Sequence, residues 1–448
     1  MTPLDRDLGK LTMKYLYLDN FRGFSDTSIP LHDVNFLVGE NSTGKTSFLN
    51  AIRILSGQSI LMGSEQLDDD PPLGHFAEMV SAHSNDKTYF RLGFIGESTN
   101  PKKKETSAYG VLLTYENDSG ASRIAHFTCT MMDAEVFLRF EGRNIYYRID
   151  SLPPAGNADE MKVRLARWVE SHKAGRTSTY KKLEINEEPG SYPLFWVLAT
   201  AWEKSQSAKE TGFSFPPMAP QIVWVAPIRS RPRRTYDEPQ TQSSSEGAHI
   251  PYVIKKILSS EEQAKSFKGF MKKIGTDTGL FQKIAVKSFG RGESARFEID
   301  AYLDGQALGL HLMGYGISQS LPIFVELFIQ PKGTWYGIQQ PEVHLHPRAQ
   351  AAIGDVLFEM ASHDRKSFLV ETHSDFMIDR FRLNYRLQDG KKQKDKTPAS
   401  QILFFERNDK CNLVTPITIE NSGELASDQP DSYRNFFIKE EMNILGIR

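Results

Sequence analysis

The sequence predicts an α/β fold, and three segments predict it. Residues 34–38 (Val-Asn-Phe-Leu-Val) form an apolar stretch broken only by Asn35, the pattern of a buried strand. Directly after it, Gly39-Glu40-Asn41-Ser42-Thr43-Gly44-Lys45-Thr46 fits G-x-x-x-x-G-K-S/T, and residues 47–55 continue with apolar side chains at helical spacing. Two later apolar runs, 334–338 and 367–370, end in the polar residues Gln339-Gln340 and Glu371-Thr372-His373-Ser374. Open α/β sheets bind their ligands at such strand ends.

The glycine loop carries the most chemistry. Gly39 and Gly44 let the backbone N–H groups of Asn41, Ser42 and Thr43 curl around phosphate oxygens. The helix N-terminus that follows adds a partial positive charge. Lys45 is expected to reach the β- and γ-phosphates and the Thr46 hydroxyl to ligate Mg²⁺, with Ser47 among the nucleotide-binding residues. The expected ligand is a nucleoside triphosphate.

Bulk properties narrow the rest. The 448 residues suffice for two or three domains, or for one large core with insertions. A net charge of −2 gives no global bias toward nucleic acid or membrane, so a polyanion contact must be local. The two cysteines, Cys129 and Cys411, lack metal-like spacing, which predicts a reduced, cytoplasmic setting. No apolar signal region opens the chain and no run spans a bilayer, so a transporter subunit with its own channel is excluded and no membrane partner is expected.

Along the chain, residues 12–18 alternate as a strand and lead into Asn20-Phe21-Arg22-Gly23-Phe24 and a second strand near 27–31. Residues 89–95 and 110–115 read as antiparallel strands, and 161–171 as an amphipathic helix. Residues 68–72 and 98–104 read as solvated turns. Another buried strand, 222–225, opens into a basic stretch with Arg229, Arg231, Arg233 and Arg234. Residues 240–247 are polar and read as mobile. Helices are expected at 251–257 and 261–274, then a strand at 297–303 ending in the hairpin signal Asp304-Gly305. Gly314-Tyr315-Gly316-Ile317-Ser318-Gln319 precedes an apolar helix at 324–329, a second helix start able to receive phosphate. A helix at 375–387, a basic turn at 390–396 and a strand pair at 401–406 and 413–419 complete the chain. The domain reading is 1–60 and 221–385 as the two parts of one core, 61–220 as a β-rich and helical insertion, and 386–448 as a β/α extension.

In this order the segments resemble the ABC-type ATPase heads of the RecF and SMC group, and most of all the AAA-15/OLD-like ATPases of anti-phage systems such as Septu and PARIS. The likeness covers residues 11–55 and 221–374. It implies a P-loop ATPase head with a mixed sheet, an antiparallel β subdomain and no long coiled coil, using ATP and Mg²⁺. Gly316, Ser318 and Gln319 would then form the signature acting on ATP held by a neighbouring subunit. Gln339 and Gln340 would end the Walker B strand, residues 344–347 would be the D-loop region, His373 the switch histidine, and Arg22 would approach the nucleotide.

The pattern departs where such heads carry acids: Gln339 and Gln340 stand there, as natural residues or as a substitution that traps ATP. A glutamine amide positions water but accepts no proton near neutral pH. Glu342 is left as the nearby acid, and slow hydrolysis is expected. The arginine cluster fits nucleic-acid phosphates, an acidic phage protein or another partner, or else a solvated loop paired with Asp237 and Glu238. No clustered acids follow residue 374 to form a nuclease of its own. The expected function is an ATP-binding homo-oligomer, a dimer or larger ring, controlling a separate effector, a nuclease, in defence. The alternatives are a RecF-like DNA-binding ATPase of repair and a scaffold stabilised by ATP without turnover.

Overall fold

A computed structural model describes residues 10–56, 75–99, 105–174, 179–184, 193–205, 219–237, 242–290, 295–388, 397–408 and 410–436. The turns read at 68–72 and 390–396 lie outside the described residues, as do residues 100–104. Strands β1 (Lys10–Asp19), β2 (Thr27–Pro30) and β3 (Val34–Gly39) open the described chain, and α1 (Lys45–Ser56) follows the glycine loop. The chain divides into two units, one of Met1–Leu31, Glu40–Gln221 and Phe405–Val414, the other of His32–Gly39, Ile222–Phe404 and Thr415–Arg448.

The first unit is built on an antiparallel sheet. After α2 (Phe76–Met79) come β4 (Tyr89–Thr99), β5 (Thr106–Asp118), β6 (Ala121–Met131), β7 (Ala134–Glu141), β8 (Asn144–Ser151) and β9 (Lys181–Lys182), with α3 (Ala158–Lys173) and α4 (Leu194–Glu203) in the same stretch of chain. The sheet order is β2-β1-β4-β5-β6-β7-β8-β9. Ser98 and Thr99, read as the start of a turn, instead pair with Ser107 and Thr106. Helix α3 begins at Asn157, whose side chain accepts from Glu160 N at 2.9 Å, and it lays Met161, Leu165 and Trp168 against Ile95, Leu112 and Phe137 of the sheet. The buried Trp168 indole donates to Glu135 at 2.9 Å, which satisfies its one polar atom.

The second unit holds the parallel sheet. Its elements are β10 (Ile222–Val225), α5 (Ile250–Ser259), α6 (Glu261–Thr278), β11 (Lys283–Phe289), β12 (Arg296–Leu303), β13 (Gln306–Gly309), α7 (Tyr315–Ile329), β14 (Trp335–Gln339), α8 (Pro347–Asp364), β15 (Ser367–Glu371) and α9 (Asp375–Gln388), followed by β16 (Ser400–Arg407) and β17 (Asn412–Ile419). The order is β10-β14-β15-β3-β16-β17, with β10, β14, β15 and β3 mutually parallel along the ladder. These four strands are the apolar runs of the sequence, because a parallel strand covered on both faces has no polar side to show. A small sheet, β11-β12-β13, turns at Asp304 and Gly305, both at positive φ (49° and 78°), as the Asp-Gly pair requires.

Two further readings change. Helix α7 starts at Tyr315, not near 324, so Gly316 and Ser318 lie inside its first turns and Gly314 is its cap. Residues 242–247, read as mobile, form a bonded turn: Ala226 N donates to Ser245 O at 2.9 Å and Ser230 N to Glu246 O at 2.8 Å. Backbone pairing supplies there what a polar composition withholds. The longest described helices, α6 and α8, have 18 residues each, too short for an extended coiled coil. No described helix is long and apolar enough to cross a membrane.

Helices α8 and α9 meet at Gly354, where a Cβ would overlap the Met377 carbonyl oxygen of α9. Backbone cannot yield as a side-chain tip can, so Gly354→Ala should force the helices apart and cost about 1–3 kcal/mol. Thermal unfolding of the variant checks this; an unchanged midpoint would mean that the helices slide freely.

Candidate functional site

The glycine loop leaves the end of β3 at Gly39 (φ 149°), turns through Ser42 (φ 64°) and Gly44 (φ 103°), and enters α1 with Phe48 N donating to Gly44 O at 2.8 Å. Gly44 is required twice, by its left-handed φ and by Phe24 and Asn412, which a Cβ would strike. Lys45 is buried and its Nζ donates to Glu40 O at 2.7 Å, folding back over the loop. Thr43 Oγ1 donates to the same carbonyl at 2.8 Å. Asn41, Ser42 and Thr46 are exposed, which leaves the outer N–H groups and the Thr46 hydroxyl to an incoming anion and its metal.

Arg22 stands beside the same helix. Its φ is 50°, its N–H donates to Met79 O at 2.7 Å, and its Nη1 approaches Ser47 Oγ at 3.4 Å. Burial pulls its pKa down, with Glu78 acting in the opposite direction. A desolvated guanidinium against the first turn of α1 is suited to an anion.

The second unit gathers the remaining residues at its strand ends. Gln339 closes β14, and its Nε2 donates to Glu371 Oε2, at the end of β15, at 2.9 Å. Gln340 takes a positive φ of 44° and donates its N–H to Glu371 O at 2.8 Å. The turn continues through Leu345 N, bonded to Glu342 O at 3.0 Å, into α8. Glu342 Oε1 accepts from His373 N at 2.7 Å, so Gln339, Gln340, Glu342 and His373 do come together. His373 itself is exposed.

Helix α7 joins this cluster through one buried arginine. Arg229 N donates to Gln319 Oε1 at 3.0 Å, Gln319 Nε2 donates back to Arg229 O at 3.2 Å, and Arg229 Nη2 donates to Gln339 O at 2.8 Å. Arg229 is 2% exposed, so the reading that grouped it with surface arginines is corrected: it faces Gln339, not an external phosphate. Burial pulls its pKa down to about 10, opposed by the carboxylate of Glu342. Its neighbours in sequence remain outside: Arg231, Arg233 and Arg234 are exposed, with Arg231 over the Tyr315 ring at 5.8 Å. Asp237 pairs with Arg296 at 3.6 Å rather than with that cluster. Glu238 lies outside the described residues.

The first turns of α7 pack on the turn before α8. Tyr315 and His344 rings lie 5.3 Å apart, and a Cβ on Gly316 would approach His344 O to 3.1 Å. Ser318 Oγ donates to Tyr315 O at 2.9 Å and is buried, so its hydroxyl serves the helix, whose first N–H groups have no intrahelical acceptor. His344 and His346 form no metal site; among the described residues no group of three potential ligands clusters. Mg²⁺ keeps waters and takes few protein ligands when phosphates are present, so an exposed hydroxyl such as that of Thr46 suits it.

Glu371 is the residue that reading the sequence missed. The signal was present, since it ends an apolar run at the level of Gln339, but only the β14–β15 register sets the two side by side.

The model of the AAA ATPase domain family AAA-15 matches residues 13–106 and 234–378, just over half of the chain. Among solved structures, an SMC head bound to the C-winged helix domain of ScpA is 12% identical, with 92% of this chain and 98% of that chain covered and a TM-score of 0.45. The SMC head domain from Thermotoga maritima is 14% identical over 90% and 98% of the two chains, with a TM-score of 0.38. The recombination mediator RecF, solved with an ATP analogue, is 12% identical over 92% and 99%, with a TM-score of 0.35. No curated protein matches the sequence.

Proposed function

The chain belongs to the AAA ATPase domain family AAA-15, and we propose that it binds ATP with Mg²⁺ at the glycine loop and completes the site with the N-terminus of α7 from a second copy. The observation that carries this reading is the loop itself, with Gly44 at φ 103° and Lys45 folded over Glu40 O at the start of α1. Mg²⁺ would supply charge on the phosphate oxygens, held through Thr46. Arg22 would steady the phosphates from the side of Ser47. Gln339 and Gln340 orient water without accepting a proton, so hydrolysis is slow and the ATP-bound assembly persists.

In that state the oligomer, a dimer or larger ring, would hold a separate effector in the cytoplasm, a nuclease, and release it when phage is sensed. Support for the shared site comes from exposed apolar side chains beside the α7 N-terminus, Leu312 at 70% and Tyr315 at 51% exposure. A second reading, a RecF-like head gripping DNA, draws on the exposed Arg231, Arg233 and Arg234.

Leu312→Glu tests the shared site, because so exposed a residue contributes little to the fold. ATP-dependent mass by light scattering should no longer rise, while ATP affinity stays within about two-fold of the unaltered chain. Assembly that persists in the variant would sink the shared-site reading.

A further inference from the structure

We propose that Asn412, the first residue of β17, is a further nucleotide-binding residue, its side-chain amide donating to a phosphate oxygen held at the glycine loop. The inference rests on the ATP reading above and adds the tip of the β16–β17 hairpin to that site. Residues 405–414 belong to one unit with residues 1–31 and with the loop and helix that begin at Glu40. Asn412 N donates to Gly23 O at 2.7 Å, next to Arg22. Its Nδ2 lies between Gly23 and Gly44, where a Cβ on either glycine would strike it. Gly44 needs its left-handed φ in any case. At Gly23 no positive φ demands a glycine, and the atoms a Cβ would meet there are those of the Asn412 amide. The β1–β2 loop and the glycine loop therefore both make room for one side chain.

That side chain is held in place and left unsatisfied. Asn408 Oδ1 accepts from Lys410 N at 2.9 Å and from Cys411 N at 2.7 Å, which shapes the turn before Asn412. Phe405, on β16, packs edge-on against Phe48 of α1, with ring centroids 5.6 Å apart. Asn412 is 8% exposed, and among the described residues neither its Nδ2 nor its Oδ1 has a hydrogen-bond partner. An amide buried without partners costs free energy, so a ligand that meets it gains affinity. The group expected beside Gly44 is a phosphate, since Lys45 follows at the start of α1. Phosphate oxygens accept, and the Asn412 amide brings the N–H groups to donate.

ATP affinity of the full chain, measured by calorimetry at low and high salt, tests the assignment together with thermal unfolding in the absence of nucleotide. Asn412→Ala removes the donor and should weaken ATP binding about 10-fold at either salt, with little change in the unfolding midpoint. Asn412→Asp keeps the size and sets a negative charge where the donor stood. It should weaken binding about 100-fold at low salt, and its excess over Asn412→Ala should shrink as salt is raised. The proposal is overturned if both variants bind ATP as the unaltered chain does, or if Asn412→Asp loses no more than Asn412→Ala at low salt. It is also overturned if the midpoints fall while the folded chains keep their ATP affinity, the mark of an amide that only fills space. Absence of ATP binding by the unaltered chain would overturn the parent reading, and this one with it. Binding that Lys45→Ala abolishes and Asn412→Asp leaves intact would overturn this one alone.

Discussion

Lys45→Ala is expected to weaken ATP binding by about 100-fold or more, on the order of 3 kcal/mol. The ammonium is the one cation that the loop carries into the first residue of α1, and its Nζ is held 2.7 Å from Glu40 O, inside the curve where phosphate oxygens would sit. Removing it leaves the backbone cradle intact, because Gly44 O still receives Phe48 N and Thr43 still bonds Glu40 O. The variant should therefore fold normally and bind poorly, which calorimetry and thermal unfolding on one sample would separate. Assembly should fall with binding. A Lys45→Ala chain that still assembles to full mass would defeat the reading in which bound ATP holds the oligomer together.

Arg229→Ala should have the largest effect on stability, about 3–5 kcal/mol. The guanidinium is buried and, among the described residues, its side chain reaches one acceptor, Gln339 O at 2.8 Å, while Nε and Nη1 have no partner. Burial of this cation is costly in itself, and that desolvation pulls its pKa down to about 10. A base whose folded pKa lies below its unfolded one costs stability wherever it is charged, so at neutral pH Arg229 is retained against its own desolvation. What makes its loss expensive is Glu342, whose Oε2 is buried without a hydrogen bond and would lose its counter-charge. Arg229→Met, which fills the space without the charge, should destabilise less than Arg229→Ala in denaturant unfolding. Equal midpoints for the two would show that volume alone matters. Both should loosen the link from Gln319 on α7 to Gln339 on β14, so ATP-dependent assembly should weaken even where stability is recovered.

The strands and helices that carry the site were readable because each is a local pattern. The apolar runs of β3, β14 and β15 declare burial on both faces, and the glycine loop declares its own turn through residues that tolerate positive φ. The start of α7 was misread because glycines at 314 and 316 usually end or precede helices. Here Gly316 lies against His344 O and the close approach of backbone outweighs propensity. Residues 242–247 were misread for a related reason, since their order comes from backbone bonds to Ala226 and Ser230 rather than from their own composition.

By itself the sequence determined the α/β class, the glycine loop that carries Lys45 and Thr46 into a helix, and the two glutamines where acids are expected. It could not rank the acids or the arginines. Arg229 and Gln339 are 110 residues apart and Gln339 and Glu371 are 32 apart, so their pairing is set by strand order and register, not by spacing along the chain. Arg229 looked like one of four surface arginines, and only its burial under β14 separates it from Arg231, Arg233 and Arg234. A carboxylate or guanidinium takes its chemical character from what surrounds it within a few ångströms. Packing, not spacing along the chain, set Glu371 beside Gln339.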